Sequence, residues 1–553
     1  MTSSVEGFAL SPQQERLWQL QEGGMEGSYG AFCAVRIAGD LDPERLRQAL
    51  GRVVQRHEIL RTGFQRIPGL SVPLQVIGGP LLPPLGRHDL TRCPDAEREE
   101  RIDGLLREMA RLPEEGPQLR AALVDLPDGP RLLLGLPALC ADTAGMESLA
   151  REVERAYDTL PQAAHSAEET LQYADLSGWL NDLLESQDPR ARKYWQSRDV
   201  RPHLEARLPF ARGAGGAFAP RRLALPLPPG LAAEVARLAR SREVPVSSVL
   251  LAAWVVLLQR LVGRPVAVAT VFDGRRSEEL RDAIGLLARH LPVQVTVAEQ
   301  DPFEEIVRRT AKAVAELSLW QDFFDWKAVV GGNGAPYFLP FAFESRESLL
   351  PGSPRFALER CGARFDRFEL KLWCRWNGER LAVDLEHDAG TVAREDAARV
   401  AAWFREQLRD AVSRPAAAAL GLEILPAEER GRLEALCGER CDFGPELTLA
   451  ERFAAQAART PDRVALACGD VELSFAELRA RAGRLARRLR RMGVGPDVKV
   501  ALTAERSVEM VVGLLGILEA GGAYVPVDPA YPESRRAFLL EDAGALLLLT
   551  EER

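Results

Sequence analysis

Positive charge is not in excess in this chain. Eighty acidic against 71 basic residues leave a net charge of −9, which argues against a nucleic-acid partner. The basic residues are nearly all arginine and are scattered among acids, as on solvated helix faces rather than a binding stripe. Metal-ligand spacing is missing too. The eight cysteines are Cys33, Cys93, Cys140, Cys361, Cys374, Cys437, Cys441 and Cys468. Only Cys437 and Cys441 lie close together, and no second pair or histidine cluster completes a zinc site, so no metal is expected. Widely spread free thiols fit a reducing cytoplasm. Long apolar runs are also lacking: the best of them, residues 249–258 with Trp254, is too short to cross a bilayer, so no membrane partner is predicted. The opening Met1-Thr2-Ser3-Ser4-Val5-Glu6-Gly7 has neither the charged nor the apolar region of a signal peptide. These absences together predict a cytoplasmic protein.

What is present is the composition of a globular protein, with a hydrophobic fraction of 46% and a charged fraction of 27%. At 553 residues the chain exceeds one ordinary core, and several compact units are expected. Residues 31–39 read as a strand closed by a Gly-Asp turn. Residues 41–57 read as a helix with Leu46, Leu50, Val53 and Val54 on one face. A second apolar run, 131–135, reads as a buried strand, and 146–153 as a helix. The turn between them is where a rigid frame could present chemistry. Gly213-Ala214-Gly215-Gly216 and Leu225-Pro226-Leu227-Pro228-Pro229-Gly230 break the pattern with turn or crossing-loop composition. Beyond them the pattern predicts helices at 231–239 and 246–262, strands at 265–272, 291–297 and 370–376, and a closing helix at 394–412. Mixed strands and helices predict an α/β fold packed around two cores.

Several motifs fall in a telling order. They are Leu10-Ser11-Pro12-Gln13-Gln14-Glu15-Arg16-Leu17-Trp18, Arg56-His57-Glu58-Ile59-Leu60-Arg61-Thr62-Gly63-Phe64, and Tyr173-Ala174-Asp175-Leu176-Ser177-Gly178-Trp179 with Tyr194-Trp195 after it. Ile284-Gly285-Leu286-Leu287-Ala288-Arg289-His290-Leu291-Pro292 and Trp320-Gln321-Asp322-Phe323-Phe324-Asp325 follow. Together they resemble the first, second, fourth, fifth (divergent) and sixth motifs of the condensation domains of nonribosomal peptide synthetases. Between the second and fourth, where that family has His-His-x-x-x-Asp-Gly, this chain has Pro137-Ala138-Leu139-Cys140-Ala141-Asp142-Thr143. The aspartate is kept and both histidines are gone. Leu473-Ser474-Phe475-Ala476-Glu477-Leu478 and residues 518–528 resemble the first two core motifs of an adenylation domain. The phosphate-gripping loop expected further on lies past the last residue, so this fragment is expected not to adenylate.

The resemblance implies two chloramphenicol-acetyltransferase-like lobes forming a V, followed by a truncated α/β adenylation subdomain. The expected spans are 1–176 for the first lobe, 177–425 for the second, 426–446 for a linker and 447–553 for the adenylation portion. A tunnel between the lobes would admit the phosphopantetheine arms of an upstream donor and a downstream acceptor carrier protein. The chain itself is expected to bind no cofactor. The rest of the adenylation domain would be a further partner, as would a tailoring enzyme in one reading.

At the central motif, Ala138 stands where the family has the histidine beside the attacking amine, and alanine has no proton chemistry. Of the histidines present, His57, His88, His165, His203, His290 and His387, each reads more readily as structural than as a relocated base. Asp142 matches the aspartate that pairs with an arginine in the family, and Arg275 in Asp273-Gly274-Arg275-Arg276 matches that partner. Cys140 is a weak nucleophile candidate, since no neighbouring histidine would activate it and a buried free cysteine acts as a small hydrophobe. A heterocyclization domain is disfavoured, because Pro137 and Gly145 replace the first aspartate and the serine of its motif. Two readings stay open: amide formation between donor and acceptor despite Ala138, or a silent scaffold that docks carrier proteins or recruits a modifying enzyme.

Overall fold

The computed structural model describes residues 7–22, 28–113, 117–159, 170–186, 188–212, 217–331, 337–347, 355–437, 444 and 446–551. The readings made above on Met1 to Glu6, His165, Gly213 to Gly216 and Cys441 fall outside the described residues. The chain divides into two compact units, Met1–Leu433 and Glu434–Arg553.

The first unit is built on two sheets. One has five strands in the order Phe356–Arg364, Gly30–Ile37, Arg131–Pro137, Arg120–Asp125 and Leu85–Asp89. The other has six, in the order Pro220–Ala224, Leu381–Asp388, Leu370–Trp376, Phe341–Glu347, Ala267–Phe272 and Arg289–Gln294. Phe356–Arg364 lies inside the span expected for the second lobe, yet it pairs antiparallel with Gly30–Ile37 in the first sheet. The chain therefore stitches its two lobes together with main-chain hydrogen bonds.

Amphipathic patterning explains most of the packing. The Pro43–Arg56 helix starts at Asp42, whose side chain accepts from the Glu44 and Arg45 N–H groups, and buries Leu46, Leu50, Val53 and Val54. The Val246–Val262 helix is apolar nearly all round, as a helix enclosed on every side must be. It stops at Gly263 in the left-handed conformation, and its Trp254 Nε1 donates to the Ala342 carbonyl at 3.1 Å. No single helix among the described residues is long and apolar enough to cross a membrane.

The span expected as a linker begins instead with a helix, Ala427–Leu436. Pro426 precedes it and Glu428 and Glu429 occupy its first turn, which are helix-start signals. It buries no residue, so it lacks the apolar period that marks a helix in sequence; Glu429 pins it by accepting from Trp403 Nε1 at 2.6 Å. The second unit pairs Val464–Cys468 with Val471–Ser474. It also carries a three-stranded parallel sheet in the order Ala523–Pro526, Lys499–Thr503, Leu547–Thr550. Ser474 and Glu477, both in the first adenylation-like motif, form a capping box at the start of the Phe475–Arg491 helix.

Candidate functional site

The turn that joins the Arg131–Pro137 strand to the Thr143–Thr159 helix is wholly enclosed, with every residue from 131 to 149 buried. Pro137 ends the strand opposite Gly30. Ala138 and Cys140 are both 0% exposed, and the Cys140 N–H closes the turn on the Pro137 carbonyl at 2.9 Å.

Asp142 organises the turn. Its Oδ1 accepts from the Gly145 N–H at 2.8 Å, an N-terminal cap on the helix. Its Oδ2 accepts from Arg275 Nη1 at 2.9 Å and from the Leu287 and Ala288 N–H groups at 2.9 and 2.8 Å. With both oxygens occupied, this carboxylate holds a loop and has little left with which to move protons. A Cβ on Gly145 would sit 3.3 Å from Asp142 Oδ1, Arg275 Nη2 and the Gly285 nitrogen, so a side chain there would crowd the clamp.

Arg275 is equally committed. Its guanidinium, 3% exposed, also meets Asp273 at 2.6 Å and the Ala283 and Gly285 carbonyls. Asp273 in turn meets Arg346 at 2.8 Å, and Arg346 meets Glu147 at 3.0 Å. The result is an alternating chain, Asp142–Arg275–Asp273–Arg346–Glu147, that leaves the motif helix, crosses the second lobe and returns to the same helix. Burial opposes ionisation of Asp273, yet Arg275 and Arg346 hold its carboxyl below the usual range. Beside this chain, Thr143 Oγ1 donates to Glu344 Oε1 at 2.5 Å, and Glu344 pairs with Lys371, both almost fully buried.

The sequence motifs converge here. Ser11 caps the Pro12–Gln21 helix and its hydroxyl lies 2.9 Å from the Tyr173 hydroxyl, which donates to the Leu286 carbonyl at 2.6 Å. Gln13 donates to the Leu287 carbonyl and Gln14 to the Leu139 carbonyl, at 3.2 and 2.8 Å. Arg289 donates to the Gln321 carbonyl at 2.8 Å, tying the fifth motif to the sixth.

The expected site residues thus divide. Asp142, Gly145 and Arg275 meet at one clamp. Ala138 brings no polar atom, and burial pushes the Cys140 thiol far up, which removes the thiolate that a nucleophile needs. His57 lies 3.9 Å from Glu152, and His387 Nδ1 lies 2.9 Å from the Val392 carbonyl. His290 is different. It lines a cavity of about 160 Å³, and neither of its ring nitrogens has a hydrogen-bond partner. No group of three or more metal-ligating side chains occurs among the described residues. Asp273, Arg346 and Glu147 were not singled out as site residues from sequence, and His290 was weighed there as a relocated base and read as structural. The signals available were the acid two places before Arg275 and an imidazole inside the divergent fifth motif.

A two-lobed α/β unit with an aspartate-clamped loop between its sheets defines the class. A family model described as Condensation domain matches residues 6–323, and one described as AMP-binding enzyme matches residues 453–553. The chain belongs to the condensation-domain family of nonribosomal peptide synthetases and continues into the first part of an adenylation domain. It is 32% identical to phosphinothricin tripeptide synthetase PhsB of Streptomyces viridochromogenes, a match over 100% of this chain and 49% of that protein. It is 31% identical to chondramide synthase of Chondromyces crocatus over 98% of this chain and 14% of that protein. The chain therefore spans half or less of these relatives. In fold it is similar to the nonribosomal peptide synthetase FmoA3 (TM-score 0.73, 24% identity, 100% of this chain and 58% of that one). It is also similar to the first condensation domain of the CDA synthetase (TM-score 0.65, 21% identity, 77% of this chain and 100% of that one).

Proposed function

We propose that the first unit joins a donor acyl thioester to an acceptor aminoacyl thioester, each carried on the phosphopantetheine arm of a partner carrier protein, without any proton chemistry at position 138. The observation that carries this reading is the Asp142 clamp: four hydrogen bonds hold the turn between the lobes although both motif histidines are gone. A clamp of this kind serves placement. Aligning amine and thioester contributes roughly 7–11 kcal/mol to a barrier. A general base contributes ~10²–10⁴-fold, about 2.7–5.4 kcal/mol. Placement outweighs the loss of one base, because a thioester is already activated and a neutral amine attacks it directly.

A second reading, a silent scaffold that docks carrier proteins or recruits a tailoring enzyme, is favoured by one observation. Ala138, Leu139, Cys140 and Ala141 are all 0% exposed, so the turn offers substrate no surface. A single-turnover reaction with both carriers loaded separates the two. Amide on the acceptor arm, detected by intact-protein mass spectrometry, supports condensation. Carrier binding with both thioesters returned unchanged supports the scaffold and overturns condensation.

A further inference from the structure

In sequence the arginines lie scattered among acids, but folding gathers six of them around one cleft of about 680 Å³. Its walls are the Asp95–Met109 helix of the first lobe and the outer strand of each sheet, Phe356–Arg364 and Pro220–Ala224. Three acids line it as well, Glu99, Glu100 and Asp103. A concave space of this size between two lobes suits a small ligand.

Three of the arginines are already neutralised. Arg222 meets Asp384 at 2.9 Å, Arg364 meets Glu386 at 2.6 Å, and Arg360 meets Asp103. Arg360 and Arg364 also stand over the Phe32 ring, 5.0 and 5.4 Å from its centroid, and make a fixed floor. The other three, Arg107, Arg221 and Arg394, form no ion pair among the described residues. Arg107 is half-buried, and its Nε donates to the Asp103 carbonyl of its own helix at 3.1 Å. Arg221 Nη1 donates to the Pro220 carbonyl at 3.2 Å. Glu99 and Glu100 are exposed, and Glu99 lies 3.8 Å from Arg222. Burial, then the charge of Arg221 and that of Arg364, lower the Arg107 guanidinium from its ordinary range. Arg394 and Arg221 act in the same sense on His387, which faces Arg221 across the paired strands. Cations set together in this way repel one another, and an anion between them removes the repulsion.

We propose that this cleft is an oxyanion site, in which Arg107 of the first lobe and Arg221 and Arg394 of the second grip a phosphate or carboxylate on what enters between the lobes. Guanidinium forks match both groups with paired N–H···O bonds. The choice of ligand rests on the condensation reading given above, which offers that chemistry from two sources. One is the phosphate of a phosphopantetheine arm, and the other is an acidic group on the acyl or aminoacyl substrate. The cleft is also joined to the motif. Cys361, next to Arg360 on the shared strand, donates from Sγ to the Thr143 carbonyl at 3.3 Å, at the start of the motif helix.

The test measures binding to the full chain by isothermal titration calorimetry at low salt, with no turnover. Four ligands are compared in two pairs: phosphopantetheine against pantetheine, and succinyl-pantetheine against butyryl-pantetheine. If the arm supplies the anion, phosphopantetheine should bind ~10-fold more tightly than pantetheine. If the substrate supplies it, succinyl-pantetheine should hold the same ~10-fold advantage over butyryl-pantetheine. Arg107→Gln, Arg221→Gln and Arg394→Gln together should abolish whichever preference is found. The melting temperature should stay level or rise, because no ion pair is lost and a repulsion is relieved. Each single variant should weaken the preference, which covers a triple variant that fails to fold. Equal binding within twofold in both pairs, or no binding at millimolar ligand, overturns the proposal. So does a preference that survives the triple replacement. Any of these leaves condensation standing, whereas thioesters returned unchanged in the turnover assay overturn condensation and leave a measured anion preference in place.

Discussion

Replacing Asp142 by alanine removes the acceptor for four donors at once. Arg275, 3% exposed, would keep Asp273 at 2.6 Å and two carbonyl contacts, but its chain of alternating charges would end on a void. Breaking a buried ion pair from one side costs about 3–5 kcal/mol, and each stranded buried N–H about 1–3 kcal/mol. The three N–H groups are those of Gly145, Leu287 and Ala288. Because Asp273 still compensates part of the charge and these terms share one site, the sum is not additive, and about 4 kcal/mol is the expected loss. Asp142→Asn is milder. Both aspartate oxygens only accept, so the amide NH₂ must face at least the Gly145 N–H, at a cost of about 1–3 kcal/mol. All nine tryptophans precede residue 404, so tryptophan fluorescence in a urea titration reports the first unit alone. Asp142→Ala within about 1 kcal/mol of the unaltered chain, below the cost of one broken pair, would refute the reasoning.

Other outcomes follow from the same geometry. A Cβ at Gly285 would come within 1.9 Å of the Tyr173 ring, so Gly285→Ala should destabilise by about 3 kcal/mol, measured by the same titration. Ala138→His overpacks a fully buried position and should cost about 1–3 kcal/mol rather than restore a working base, as thermal melting and the turnover rate would show. Iodoacetamide on the native chain should label exposed Cys437 and spare Cys140, which is 0% exposed, as peptide mass spectrometry would reveal. The imidazole of His290 takes up its proton less readily folded than unfolded. Stability should therefore fall as pH drops below the unfolded value of 6.5, and His290→Gln should flatten that part of the pH–melting curve.

Much of the fold was legible because period reports burial. Leu46, Leu50, Val53 and Val54, read as one helical face, are all buried in the helix they predicted. The Leu370–Trp376 strand lies where the sequence reading placed a strand, although it is buried on both faces, Lys371 included. The placement of Phe356–Arg364 in the other lobe's sheet was not legible, since which edge a strand joins is a tertiary choice absent from its own pattern. Ala427–Leu436 escaped notice for the opposite reason, having helix-start residues but no buried face. Asp142 and Arg275 could be marked from motif position. The charge chain through Asp273 and Arg346 could not, because its members come from separate segments brought together only by folding. His290 was visible as an imidazole in a divergent motif. Its neighbours Asp366 and Arg16 are set beside it only by the folded lobes.

The most direct measurement is the mass of the acceptor carrier after one turnover with the unaltered protein and both thioesters in place. The expected result is an acceptor arm heavier by the donor acyl group, formed with alanine at position 138. An acceptor mass that never changes, while both carriers bind, would contradict it.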